Sequence, residues 1–496
     1  MSTSLIILSV ILSFMVMILT GFLYRLKKVP MYFISYHLYL ALLPTITSLI
    51  ALLLMAHPIA FGPFHFDRFG LTLGAFINLI GFVVQRFSMR YLQGDLHYRS
   101  YFGFFSLATS AMSLTWLSDD LRVLLLLLGI ALWSMLQLFR CSSAIKPAMF
   151  VMKRARTIFL IAWLSLLAAT IMLYRSTHTW SLHQIAGKTV ALTPVSITIG
   201  LLLLLPALLL AAQWPFQRWL LESAIFPTPV SALMHAGFVN LGGVLLTRFA
   251  NYTHLPTVSL PLLLISLTSI LIGQGIVRVA VDYKRQLLGS TIAQMGFMLV
   301  QCALGAYLAA IIHLILHGLF KAMLFLQAGS AAQHQNETIV LPSHRLERFW
   351  QVTLTIVITL LYGFADRSNA YAWLSGLILG MALGTAFTQL VLFSSKVSYR
   401  FLGAGVLLVI GVLYLYVQQM MTSLLSLTLS PSLLHNNIFA IPLLALFVLV
   451  VFLLERIGKK PDSKLYLRLY LYFVATSEPS LKATQTHPHH LSQWMA

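Results

Sequence analysis

Charge is the scarcest commodity in this sequence: Asp, Glu, Lys and Arg make up 9% of 496 residues, where a soluble chain carries roughly 25%. With 59% hydrophobic residues and a mean hydropathy of +0.88, that shortage excludes an ordinary water-soluble protein and places the chain in a bilayer. Cysteine is nearly absent too. Cys141 and Cys302 both lie in apolar helical context, which excludes a disulfide framework and a thiolate metal site. A nucleotide-binding glycine pattern and a zinc-binding constellation are also missing, so any redox or hydration chemistry belongs on another chain. Spans of roughly 20 residues leave little sequence for a large extramembrane enzyme. The opening stretch Ser4 to Thr20 has no basic n-region and no obvious cleavage site, and reads as a retained first span.

Acids are the rarer sign. The twelve of them, including Asp67, Glu222, Asp282 and Asp366, fall in loops or at span ends, so no carboxylate is expected at mid-membrane. A dehydrated sodium ion wants several hard oxygen ligands, usually with a carboxylate among them. Protons suit this chain better.

What is present is a long series of apolar runs. They give about fifteen candidate spans, starting near residues 5, 32, 69, 101, 121, 157, 195, 228, 259, 286, 307, 350, 370, 401 and 438. Basic clusters fall in every second loop: Arg25, Lys27 and Lys28; Arg90 and Arg99; Arg140 and Lys146 to Arg156; Arg218; Lys284 and Arg285; Arg345 and Arg348; Lys396 and Arg400; Arg456 to Lys464. That alternation predicts an odd number of spans with the N-terminus outside and the C-terminus cytoplasmic. Most of the +20 net charge therefore sets topology and does not signal nucleic acid. The fold class expected is all-α, a polytopic membrane helix bundle of about 13–15 spans. Beyond Arg456 a basic segment leads into the aromatic stretch Leu465 to Val474, read as an interfacial helix that anchors to the membrane or docks a partner. The polar tail that follows, with His487, His489 and His490, is read as solvated.

Titratable groups inside spans concentrate in two places. One is His235, within Pro227 to Gly237; the other is the run His313, His317, Lys321. Two successive spacings of four put the latter three on one helix face, a ladder about 12 Å long. Histidine titrates near neutrality and can take a proton on one ring nitrogen and release it from the other. A desolvated lysine gives up its charge readily and can alternate between loaded and empty. Prolines interrupt the same region: Pro206 inside a span, Pro215 at its end, Pro227 and Pro229 opening the next. Interrupted helices are where transporters place their pathways.

The segment Gln213 to Leu220 leading into Pro227 to Ala236, then Asp282 to Gly296, then His313 to Leu326, resembles the antiporter-like subunits of respiratory complex I, Mrp antiporters and membrane hydrogenases. The resemblance reaches back to Asp67 and Tyr91 and covers roughly residues 60 to 330. It implies two inverted five-helix repeats, each with a discontinuous helix and half a proton channel. The corresponding division is 1–96 N-terminal membrane helices, 97–250 first repeat, 251–395 second repeat, 396–456 C-terminal membrane helices and 457–496 cytoplasmic tail. Departures narrow the function. Where complex I subunits carry a glutamate on the fifth helix and a lysine on the seventh, this chain has Ala131 and Leu210; near the twelfth-helix lysine it offers Asp366 and Arg367.

With His235 to Gly243 as its variant motif, the chain looks like the DabB family, membrane subunits of bacterial inorganic carbon transporters. That resemblance implies a cation-conducting, most simply proton-conducting, subunit in the inner membrane. It would energise a DabA-like partner related to zinc carbonic anhydrases that converts CO2 to bicarbonate. Zinc would sit on the partner, with no cofactor and no catalysis in this chain. The proton path would run through His235, His313, His317 and Lys321, with Lys284, Glu222, Asp366 and Arg367 as secondary candidates. The alternatives are a pumping subunit of a complex I-like or hydrogenase-like redox complex and an Mrp-type cation/proton antiporter subunit.

Overall fold

A computed structural model describes residues 3–55, 57–142, 146–331, 352–353, 355–360, 380, 397–425, 450, 453–454, 456–458 and 462–478. By contacts the chain divides into two units, Met1–Ala332 with Asn436–Ala496, and Gln333–His435.

The first unit opens with α1 (Thr3–Leu23) and α2 (Phe33–Leu54). On α1, Leu5, Leu8, Leu12, Met15 and Leu19 are exposed while Ile6, Val10, Phe14 and Met17 are buried. Both faces are apolar, as expected where the outer solvent is lipid. A two-stranded hairpin follows, β1 (Ile59–Phe61) paired antiparallel with β2 (Phe64–Phe66). Then come α3 (Arg68–Tyr91), α4 (Tyr98–Leu117), α5 (Leu121–Cys141), α6 (Lys146–Thr177) and the short α7 (Leu182–Ala186).

A broken stretch comes next. It comprises α8 (Pro194–Leu210), α9 (Arg218–Glu222), α10 (Thr228–Ala236), a 3-10 turn at Phe238–Asn240, α11 (Leu241–Arg248) and α12 (Ala250–Thr253). The long α13 (Pro256–Val279), α14 (Tyr283–Ala303) and α15 (Tyr307–Leu326) complete the bundle. The C-terminal helix Lys464–Ser477 packs on α13, with the Phe473 ring in the notch at Gly275, where a Cβ would lie 2.3 Å from a ring carbon. In the second unit the helix Val397–Leu425 exposes Val409, Leu413, Tyr416 and Met420, an apolar stripe at helical spacing.

Among the described residues, eight helices are long and apolar enough to cross a membrane. The protein is a multi-pass membrane protein.

Acids mark the helix starts. Asp67 caps α3 by accepting from the Gly70 N–H, Asp120 caps α5 through Arg122 N–H, and Asp282 caps α14 through Lys284 N–H. Three of twelve carboxylates are thus bound to span ends, where a capping oxygen satisfies an orphan donor.

The structure differs from the sequence expectation in three places. The hairpin interrupts an otherwise helical chain. Helix α6 begins at Lys146, not near residue 157, so Lys153, Arg154 and Arg156 lie on helix and not in a loop. Lys and Arg are good helix formers whose long stems carry their charge clear of the apolar layer. Finally, α8 passes through Pro206 unbroken, and the interruption falls between Leu210 and Thr228. The expected spans near 370 and 438 lie outside the described residues, as do Asp366, Arg367 and the terminal histidines.

Candidate functional site

Helix α15 carries the ladder. The His313 and His317 rings lie nearly parallel, 12° apart in tilt, with centroids 5.9 Å apart. His317 and Lys321 are buried, and His313 is part-exposed. Lys321 donates from Nζ to the Leu287 carbonyl of α14 at 2.9 Å, and Phe297 of the same helix meets His313 edge-on at 5.3 Å. No carboxylate lies within ion-pair distance of the amine among the described residues.

His235 reaches the ladder from α10. Its ring stacks on Phe325, one turn beyond Lys321, at 4.4 Å between centroids. The helices approach closely because of Gly318, where a Cβ would stand 3.0 Å from the Ala236 carbonyl and 2.5 Å from the Phe76 ring. The sequence-predicted residues His235, His313, His317 and Lys321 are therefore brought to one pair of helices.

Both nitrogens of His235 and of His317 are buried without a partner among the described residues. So are the hydroxyls of Thr228 and Ser231, which sit seven and four residues before His235 on the same face of α10. Sequence reasoning passed over these two; their spacing to His235 was the available signal. A buried polar atom left unbonded costs about 1–3 kcal/mol, so this face suits water and proton traffic better than dry packing.

Two of the secondary candidates, Lys284 and Glu222, lie at helix ends beside the basic loops. Lys284, at the start of α14, donates to the Phe226 carbonyl at 3.0 Å and lies one turn before Leu287. A cavity of about 460 Å³ opens there, lined by Tyr91, Gln93, Asp95, Phe226, Pro227 and Lys284. Glu222 is buried and paired with Arg154 at 2.5 Å, tying the break to α6. A second buried pair, Arg248 with Asp67 at 2.6 Å, joins the end of α11 to the start of α3; Arg248 also donates to the Trp116 carbonyl. Asp366 and Arg367 lie outside the described residues.

Around Ala131 and Leu210 the interior is apolar. Leu128, Leu132, Leu210, Leu241 and Leu245 surround a void of only about 10 Å³, too small to form a water path.

Residues 118–398 match the profile of the NADH:quinone oxidoreductase/Mrp antiporter transmembrane family. The chain is 40% identical over 479 residues to the probable inorganic carbon transporter subunit DabB of Bacillus anthracis, covering 95% of this chain and 94% of that one. To the Bacillus subtilis protein of the same name it is 40% identical over 493 residues, 96% of each. Subunit L of the NADH-quinone oxidoreductase of Mycobacterium tuberculosis is 30% identical over 72% of this chain and 56% of its own. An Mrp complex from a Dietzia species superposes with a TM-score of 0.67 at 22% identity, covering 99% of this chain and 59% of the matched one, a likeness of fold. The chain belongs to the NADH:quinone oxidoreductase/Mrp antiporter membrane family and, within it, to the DabB branch.

Proposed function

We propose that this chain is the proton-conducting membrane subunit of an inorganic carbon accumulation complex, energising a DabA-like partner that converts CO2 to bicarbonate. The observation that carries the reading is the assembled ladder: two parallel imidazoles and a buried amine on α15 that has no carboxylate partner among the described residues, met by His235 across Phe325. Nearly full-length identity to proteins named as inorganic carbon transporter subunits supports the cargo. Protons enter or leave through the cavity beside Lys284, one helical turn from the Leu287 carbonyl that holds Lys321. Each histidine receives a proton at one nitrogen and releases it at the other, with water bridging the centroid gap. The amine alternates between holding a proton and passing it on. The membrane is the bacterial inner membrane, with the basic loops cytoplasmic. Hydration chemistry and its zinc sit on the partner.

A carbonic-anhydrase-deficient bacterium tests this. Co-expressed with its partner, the chain restores growth in air and uncoupler-sensitive accumulation of inorganic carbon. Accumulation by this chain alone would place the chemistry here and overturn the assignment. Uptake indifferent to uncoupler would remove ion flow as the driving force.

A further inference from the structure

Four helices of the first unit, α1 to α4, meet along a polar line that the ladder does not use. On α2 it consists of His37 and Ser48, on α3 of Gln85 and Asn78, on α4 of Ser106, Ser110 and Ser113, all buried. The spacings are eleven, seven, and four then three, so each helix keeps its set on one face.

One end is organised around His37. Its Nδ1 lies 2.9 Å from the Thr20 hydroxyl of α1 and its Nε2 lies 2.9 Å from Gln85 Oε1 of α3, with the Ser106 hydroxyl 3.2 Å from Nε2. The Phe102 ring meets it edge-on, and the Arg25 guanidinium beyond Thr20 lies over Phe22 and Phe104. Thr20 has a second acceptor for its hydrogen, the Val16 carbonyl at 2.8 Å. With the hydroxyl turned to Val16, a doubly protonated ring donates to both Thr20 and Gln85. With it turned to the ring, a neutral ring accepts from Thr20 and still donates to Gln85. In both states Nε2 keeps its hydrogen on Gln85 Oε1, so the ring takes up and returns a proton at Nδ1 without a lost hydrogen bond; release from Nε2 follows when the Gln85 amide turns its NH2 toward the ring.

The other end is organised around Asn78, which donates to the Ser113 hydroxyl at 2.8 Å and the Gly74 carbonyl at 2.7 Å. Between and beside these ends, Gln85 Nε2, Ser110 Oγ, Ser48 Oγ and Asn78 Oδ1 are buried with no partner among the described residues. Each such atom costs about 1–3 kcal/mol unless bonded. Four of them on three helices along one line mark a place for a file of water. The void beside Leu210, by contrast, is lined by aliphatic side chains and the two tryptophans Trp116 and Trp163.

We propose that α1 to α4 enclose a second hydrated column, about 16 Å long by the helical rise from His37 to Ser48, in which His37 binds and relays protons. The relay rests on the proton-conducting reading above; the hydration of the column does not.

Hydrogen–deuterium exchange at the imidazole C2 carbon tests it on the wild-type complex in lipid nanodiscs. That exchange requires a protonated ring and hydroxide, so it reports water and protons at the ring itself. His97, whose side chain is 48% exposed, serves as the reference. His37 is expected to exchange on the time course of His97; a His37 still unexchanged when His97 has finished overturns the column. In proteoliposomes at matched protein, His37→Gln, which keeps a donor and an acceptor for its neighbours, is expected to lose most of the proton flux. Flux equal to wild type overturns the relay. A wild-type complex without proton flux whose His37 exchanges overturns the proton-conducting reading and leaves the hydrated column standing.

Discussion

Lys321 is the residue at which the proposed chemistry is most exposed to test. Its amine has three hydrogens and one described acceptor, the Leu287 carbonyl, with no carboxylate within ion-pair distance among the described residues. Lys321→Met keeps the apolar stem and removes the titratable group, so the fold should survive while uncoupler-sensitive carbon accumulation fails. Lys321→Arg should fail as well, because a guanidinium holds its proton at any relevant pH. Both are measured at matched membrane abundance; activity in the Arg variant alone would reduce Lys321 to a fixed charge. Arg248 has a different role. Removing it leaves Asp67 buried without its bidentate partner, so Arg248→Met should cost about 3–5 kcal/mol of stability. The melting temperature in detergent would show this, with Asp67→Asn restoring part of the loss in the double variant. The ladder was legible in the sequence because its information is local, two spacings of four on one helix. His37 was not: its partners Thr20, Gln85 and Ser106 lie 17, 48 and 69 residues away, and a single histidine in an apolar run carries no period. The Arg248–Asp67 pair, 181 residues apart, was hidden for the same reason.

At the scale of elements, hydropathy located most helices but missed where they begin and break. The span foreseen from 157 starts at Lys146 because helix propensity and an ion partner, Glu222, outweigh the charge. The β1–β2 hairpin was lost to a period-two signal only three residues long per strand. That hairpin carries His65, whose ring stacks on His183 of α7 at 4.8 Å. Burial pushes the His65 imidazole below its ordinary value, opposed by the nearby Asp67 carboxylate. The folded ring therefore binds its proton less tightly than the unfolded chain does. Its contribution is complete above the ordinary histidine value of about 6.5 and is lost as pH falls below it. The protection factors of the amides in residues 59–66, each referred to the intrinsic exchange rate at the same pH, should accordingly fall on acidification from about pH 8 to about pH 5. His65→Phe, which keeps a stacking ring and cannot charge, should flatten that dependence; an unchanged slope would assign it to another group.

For the whole molecule, the composition, the alternating basic loops and the motifs between residues 213 and 326 pointed to an antiporter-like membrane subunit, and identity over nearly the full chain places it there. What such a chain docks against is not written in its spans. The helix Lys464–Ser477 is the element best suited to that task. It is held to α13 by Phe473 at Gly275, while Leu465, Leu467, Leu471 and Tyr472 remain exposed around Arg468. A helix packed on the bundle by one face, with an apolar and aromatic face left exposed, can lie in the bilayer interface or receive a partner. Truncation after Lys460 should leave the spans inserted, because none of them depends on this helix for its length or its caps. The same truncation should lower recovery of the partner when the tagged chain is purified in mild detergent, and Phe473→Ala should do so more weakly. Full recovery with both variants would assign the segment to the membrane surface and move the docking site onto the loops of the bundle.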